Sequence, residues 1–184
     1  AMLSIVGNHL LNDIVNQKEI LEPAKILTQL HYSIRSVLHQ SHEGETDSRD
    51  GMEIALIAIH PIAKELQYAG AYLPLYILRR NVVEEIKPDR LAIGGLQPEK
   101  YRIFTNQRQM LASGDTLFLL TDGLTNQIGG EHGKRYTSKR LKECLTKLSN
   151  LEESDQNSRI QKEFLTWKAD QEQTDDLLVI GIKI

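Results

Sequence analysis

Apolar residues in this chain recur at helical spacing up to Leu38, at strand spacing from Met52 to Thr121, and at helical spacing again from Leu141 to Trp167. One face of a helix returns every three or four positions and one face of a strand every two, so no stretch satisfies both patterns. Leu3, Val6, Leu10 and Ile14 form the first helical stripe. Glu22-Pro23 then places a proline where a first helical turn accepts one, and Leu27, Leu30, Ile34, Val37 and Leu38 stripe a second helix of about four turns. β-Rich runs follow at residues 54–59, 66–68, 75–78, 82–86, 101–111 and 116–121, with His60-Pro61, Arg80-Asn81 and Ser113-Gly114-Asp115 between them as hairpin turns. Leu141, Cys144, Leu145 and Leu148 mark a third helix, and Ile160, Phe164 and Trp167 a fourth beyond the polar segment 150–157. Residues 177–184 form a last strand. Helices and strands segregated in this way, with an antiparallel meander, predict an α+β fold of stacked layers. The last strand is buried only if it joins the earlier sheets, which brings its first residues beside the ends of the meander's strands.

Composition removes several functional classes. Against 25 Asp and Glu stand 22 Lys and Arg, a formal net charge of -3, so no general basic field draws nucleic acid or an anionic membrane. Aromatic residues are 5% of the chain and are not interleaved with basic ones, which argues against a stacking platform for single strands. The longest apolar run, 54–59, is far short of the roughly 18 residues of a membrane helix. With 184 residues the chain is long enough to bury a real core as one domain, and its single cysteine excludes a disulfide framework. The opening Ala1-Met2-Leu3-Ser4 has no signal-peptide pattern, and no capping residue precedes the first stripe. The expectation is a chain that begins inside an element of a longer protein.

Two acidic sites stand at strand ends. Leu117-Phe118-Leu119-Leu120 runs into Thr121-Asp122-Gly123, a carboxylate where a buried strand stops and a glycine lets the chain turn away. Asp175-Asp176 immediately precedes the apolar run from Leu177. If the two sites converge, mutual repulsion and desolvation call for a cation, and an all-oxygen donor set favours Mg²⁺ or Mn²⁺ over zinc or copper. Asp-Gly is also a common turn pair, and paired aspartates often only solvate a loop, so spacing by itself leaves both readings open.

The order of short motifs adds to this. Asp50-Gly51-Met52, Leu66-Gln67-Tyr68-Ala69-Gly70-Ala71 with Pro74-Leu75-Tyr76, Ile93-Gly94-Gly95, Ser113-Gly114-Asp115, Thr121-Asp122-Gly123, Gln127-Ile128-Gly129-Gly130 and Gln173-Thr174-Asp175-Asp176 with Val179-Ile180-Gly181 span nearly the whole chain. In that order they resemble the SpoIIE/RsbU branch of the metal-dependent (PPM) serine/threonine protein phosphatases. The resemblance implies a four-layer α-β-β-α sandwich of antiparallel sheets flanked by helices, with a two-metal Mn²⁺ or Mg²⁺ site at one end of the sheets. It maps metal-holding positions onto Asp122 and Asp175, with Gly123 beside the first and Asp176 ranked second, where relatives outside the branch have Asn. The implied chemistry is hydrolysis of a phosphoserine or phosphothreonine ester by a metal-activated water, with no covalent protein nucleophile.

The family carries a further motif, Asp-x-x-Gly-His-Gly followed by Val-Pro-Gly, whose Asp bridges the two metals. By resemblance it would lie just before Ala1, so residues 1–184 are expected to be a phosphatase domain lacking its N-terminal strands and first metal-binding motif. Such a piece should bind metal weakly and turn over negligibly. The resemblance also implies a phosphorylated regulatory substrate of the STAS, anti-anti-sigma type, a sensor or signalling module on the N-terminal side, and a cytoplasmic setting, any membrane anchor lying in upstream segments. The alternatives are a catalytically silent phosphatase-fold module that binds partners or forms a homodimer through its helices, and a metal-free α+β ligand-binding domain.

Other residues read more plainly. His39 and His42 beside Glu43, Asp47 and Asp50 lack a zinc spacing or a cysteine partner, so 39–51 reads as an exposed loop. Gly94-Gly95 and Gly129-Gly130 lack the flanking pattern of a phosphate loop and read as turn glycines. Segment 127–135, with Lys134 and Arg135, is by resemblance a substrate-side flap. Cys144 on its apolar stripe reads as a structural thiol, Phe164 and Trp167 as core anchors, and Ser4 lacks a nucleophile context.

Overall fold

Proline at the first turn and a row of large aliphatics four and three apart are enough to specify the helix that organises the N-terminal half. The computed structural model describes residues 2–40, 50–99, 101–149 and 151–184. Helix α1 (Met2–Asn12) runs into a π-helical turn (Asp13–Gln17), and α2 (Pro23–Val37) follows an extended Glu22 that hands over to Pro23. Leu27, Leu30 and Ile34 of α2 are fully buried, whereas Val37, at the end of the same predicted stripe, is about half exposed because the helix ends there.

The strands are β1 (Gly51–Met52), β2 (Ile54–His60), β3 (Glu65–Ala71), β4 (Leu75–Arg79), β5 (Val82–Ile86), β6 (Ile93–Gly94), β7 (Gln107–Met110) and β8 (Thr116–Leu120). After β8 come a short helix α3 (Gly123–Asn126), strands β9 (Ile128–Gly129) and β10 (Lys134–Arg135), helices α4 (Thr137–Leu148) and α5 (Glu153–Lys168), and β11 (Val179–Lys183). Every paired strand is antiparallel. The fold is α+β, as the segregated periods predict.

Contacts divide the chain into two compact units. One, Ala1–Pro74 with Lys87–Leu111, holds the sheet β2-β3-β7 and the small pair β1-β6. Its core is made by Leu27, Leu30 and Ile34 of α2 against Ala69, Ala71 and Ile93, with Ile14 of the π-helical turn. The other, Leu75–Ile86 with Ala112–Ile184, holds the sheet β11-β8-β4-β5 and the hairpin β9-β10. Its core joins Tyr76, Leu78, Phe118 and Leu120 of the sheet to Tyr136, Leu141, Leu145 and Leu148 of α4 and Phe164 of α5. Burial of such side chains is worth about 1.5–3 kcal/mol each, so each unit carries its own hydrophobic stabilisation.

Local chemistry explains the turns. Arg80 and Asn81, between β4 and β5, both have positive φ (48° and 65°), the left-handed pair that a two-residue hairpin turn needs. Arg79 at the end of β4 pins the start of β8 by a two-pronged ion pair, Nε to Oδ1 of Asp115 at 2.9 Å and Nη2 to Oδ2 at 2.6 Å. Oδ2 of Asp115 also accepts the Ala112 amide at 2.8 Å, which closes the Ser113-Gly114 turn.

Three sequence expectations need correction. The strand expected at 101–111 exists only as β7, because the preceding backbone is held by side chains: Thr28 Oγ1 accepts from the Phe104 amide and Asp89 from the Thr105 amide. Arg102, nearly buried, donates to the carbonyls of Ala92, Gly94 and Leu96, tying that segment to β6 instead of a ladder. Helix α5 begins at Glu153, inside the segment read as a polar connection. Gln40, within the predicted exposed loop, is buried and bonds both the Asp50 carbonyl and the Gly95 amide; His42, Glu43 and Asp47 lie outside the described residues.

Candidate metal centre

The two acidic strand ends meet because β11 pairs with β8. The register runs from Lys183 opposite Thr116 to Val179 opposite Leu120, and the Thr121 amide donates to the Leu178 carbonyl at 3.1 Å, one step past the ladder. There the pairing changes character. The Thr121 hydroxyl donates to the Asp176 carbonyl at 2.8 Å and accepts the Leu178 amide at 2.9 Å, so a side chain replaces the ladder and the last strand begins at Val179 instead of Leu177.

Gly123 leaves no room for a side chain beside the Asp175–Asp176 segment. A Cβ there would stand 2.9 Å from the Asp176 carbonyl carbon and 3.2 Å from the Asp175 carbonyl oxygen, with the Asp176 carbonyl oxygen nearer still. Its missing side chain therefore lets the turn after β8 lie against the Asp175–Asp176 backbone. Asp122 precedes α3 but does not cap it; its carbonyl accepts from the Asn126 amide and the Thr125 hydroxyl, and its Oδ2 accepts from Asn126 Nδ2 at 2.6 Å. Asp175 Oδ1 accepts from the Asp176 amide at 2.7 Å, and the Asp175 carbonyl accepts from Gln173 Nε2 at 2.8 Å. Asp122 is half-buried, and Asp175 and Asp176 are exposed.

All four residues singled out from sequence, Asp122, Gly123, Asp175 and Asp176, thus lie at one end of one sheet. Each of Asp122 and Asp175 has one carboxylate oxygen steadied by a hydrogen bond. This donor set of carboxylates and backbone carbonyls suits a hard divalent cation in kind. It is short in number: among the described residues no group of three or more His, Cys, Asp or Glu side chains is placed to hold a metal ion.

The profile of the family described as Stage II sporulation protein E (SpoIIE) matches residues 1–184. The chain belongs to the SpoIIE family. Among solved structures, this SpoIIE-family chain is similar to the SiaA-PP2C domain of Pseudomonas aeruginosa, with 25% identity, all of this chain and 70% of that one covered, and a TM-score of 0.86. It also resembles the RsbU and RsbW domains of Rv1364c from Mycobacterium tuberculosis (13% identity, 100% and 47% covered, TM-score 0.74). A third likeness is to the phosphatase domain of the cell fate determinant SpoIIE from Bacillus subtilis, in a Mn-presoaked form (15% identity, 99% and 73% covered, TM-score 0.56). No curated protein matches the chain in sequence. The family and these folds place the chain in the SpoIIE/RsbU branch of the PPM phosphatases, as a phosphatase-family module.

The remaining sequence-predicted residues fall into place around this site or away from it. Cys144 is buried, and burial pushes its thiol pKa up, as befits a packed and unreactive group. Phe164 is a core residue, and Trp167 stacks edge-on with Tyr136 at 5.5 Å between centroids and lies 4.2 Å beneath the Arg140 guanidinium. Gly129 and Gly130 are needed because Trp167 occupies the space a side chain would take. Lys134 and Arg135 are exposed on the β9-β10 hairpin. Sequence reasoning missed Gln127: read as the first residue of a flap, it is fully buried.

Proposed function

We propose that this chain is the phosphatase domain of a signalling protein, removing phosphate from phosphoserine or phosphothreonine of a regulatory protein by metal-activated water. The observation that carries the reading is the joining of the Asp122 turn to the Asp175–Asp176 segment through Thr121 and Gly123. Asp122 and Asp175 would hold Mn²⁺ or Mg²⁺, with Asp176 and the Gly123 turn beside them. Bound there, divalent cations lower the pKa of water and neutralise phosphoryl oxygens. The chain's own contribution is to fix two carboxylates on the segments that follow β8 and precede β11, one backed by Asn126 and the other by the Asp176 amide, so that neither must reorganise when a cation arrives.

On this reading residues 1–184 form one phosphatase domain whose first metal-binding motif lies in upstream sequence of the parent. Two carboxylate positions without a bridging third give weak metal affinity, so the 184 residues by themselves release phosphate negligibly. The substrate is a phosphorylated regulator of the STAS type, and a sensor module acts from the N-terminal side. Among the described residues no helix is long and apolar enough to cross a membrane.

The test is Mn²⁺-dependent phosphate release from phosphoserine peptides by the parent chain. Asp122→Asn and Asp175→Asn should each abolish it; turnover that survives both substitutions would remove these residues from the site.

A further inference from the structure

The loop that carries Asp175 has no regular structure and is exposed throughout 171–176, yet it is fastened on both sides to the segment that carries Asp122. On the C-terminal side the fastening is Thr121, through the Asp176 carbonyl and the Leu178 amide. On the N-terminal side it is Gln127, five residues after Asp122. The Gln127 side-chain oxygen accepts the Thr174 amide at 3.1 Å, and its nitrogen donates to the Glu172 carbonyl at 2.9 Å and to the Ile128 carbonyl at 2.9 Å. The residue has 0% exposure. Its own backbone is held as well, the carbonyl accepting from Trp167 Nε1 and the Tyr136 amide, both at 3.0 Å.

We infer that Gln127 is a positioning residue for the metal centre, its buried amide setting where Asp175 stands relative to Asp122. The inference rests on the reading that those two carboxylates hold the cation. Three features of the amide make the role specific. It must accept from one backbone group and donate to two others at once, which only Asn and Gln side chains can do. Glutamate would turn a buried anion toward the carbonyls of Glu172 and Ile128, and leucine would remove the partner of all three backbone groups at once. Asparagine, one methylene shorter, keeps the chemistry but cannot span from its own turn to both Glu172 and Thr174. The amide holds Thr174, the residue immediately before Asp175, and so acts on the ligand residue through the backbone.

The experiment uses the 184-residue chain and needs no turnover. Mn²⁺ affinity is measured from the free-ion electron paramagnetic resonance signal, amide exchange is followed at Thr174, and thermal stability is recorded for the parent sequence, Gln127→Leu, Gln127→Asn, Asp122→Asn and Asp175→Asn. Positioning predicts that both Gln127 variants weaken Mn²⁺ binding by about tenfold and lose exchange protection at Thr174, including in Gln127→Asn where the fold is least disturbed. A lowered melting temperature with Mn²⁺ affinity unchanged would make Gln127 purely structural and overturn the inference. Should Mn²⁺ binding be indifferent to Asp122→Asn and Asp175→Asn, the site itself fails. Sensitivity to the aspartates with none to Gln127 refutes the positioning role alone.

Discussion

Gly123→Ala is a small change with a calculable effect. The new methyl carbon would sit 2.9 Å from the Asp176 carbonyl carbon, where non-bonded carbons settle no closer than about 3.5 Å. The Asp175–Asp176 backbone must therefore retreat by at least about 0.6 Å, since the Asp176 carbonyl oxygen lies nearer still. Backbone atoms cannot rotate aside, and the Asp176 carbonyl is the acceptor of the Thr121 hydroxyl at 2.8 Å. A retreat of that size lengthens or bends the hydrogen bond out of useful geometry. Overpacking of this kind costs about 1–3 kcal/mol, and the lost hydrogen bond contributes about 1 kcal/mol of it. Gly123 is the first residue of α3, outside a helix interior where alanine's propensity would offset this, so the net loss is about 1–3 kcal/mol. Urea unfolding should show a lower midpoint at unchanged slope, and Mn²⁺ affinity should fall because the two acidic segments are pushed apart. Undiminished stability together with undiminished Mn²⁺ binding would refute the close approach.

Two further outcomes follow from buried polar groups. Asp115 receives two bonds from Arg79 and one from the Ala112 amide, and the Arg79 hydrogen bond holds its pKa below the ordinary carboxylate value. Its stabilising effect is complete above the unfolded pKa, near 3.8, and is lost as pH falls through the lower folded value. Asp115→Asn should therefore destabilise the protein by about 1–3 kcal/mol at neutral pH and shrink the acid limb of a urea-midpoint curve against pH. His31 is buried, accepts the Gly94 amide at Nδ1 and donates from Nε2 to Gln97, and burial lowers its pKa. The folded state thus favours neutral imidazole: stability is full above the unfolded value near 6.5 and declines as pH drops from there toward the folded pKa. His31→Gln should flatten that part of the curve, and a slope that persists would assign it to another group.

Much of this organisation was legible in the residues. Leu27, Leu30 and Ile34 announced α2, the run from Val82 to Ile86 matched β5 end to end, and Leu141, Cys144, Leu145 and Leu148 gave the buried face of α4. Apolar patterning reports burial, and these elements are buried on one face. What it could not report is which strands share a sheet: β4 and β5 join β8 and β11 in the order β11-β8-β4-β5, while β2, β3 and β7 form another sheet, because pairing is decided by contacts distant in sequence. The backbone of 101–106 escaped for a related reason, its partners being the side chains of Thr28 and Asp89. At the candidate site, Asp122 and Asp175–Asp176 stood out as carboxylates against apolar strands. Gln127 did not, since a polar residue next to Gly129-Gly130 looks like turn chemistry, and nothing in its neighbours signals a hydrogen-bonding reach to Glu172 and Thr174.

The central claim is that the ends of β8 and β11 make one cation site, and paramagnetic broadening tests it most directly. Substoichiometric Mn²⁺ added to the isotope-labelled 184-residue chain should broaden the backbone amide signals of Asp122, Gly123, Asp175 and Asp176 first, and Asp122→Asn should suppress that broadening at Asp175 and Asp176 as well. Broadening centred elsewhere, or an Asp175 response indifferent to Asp122→Asn, would contradict a shared site.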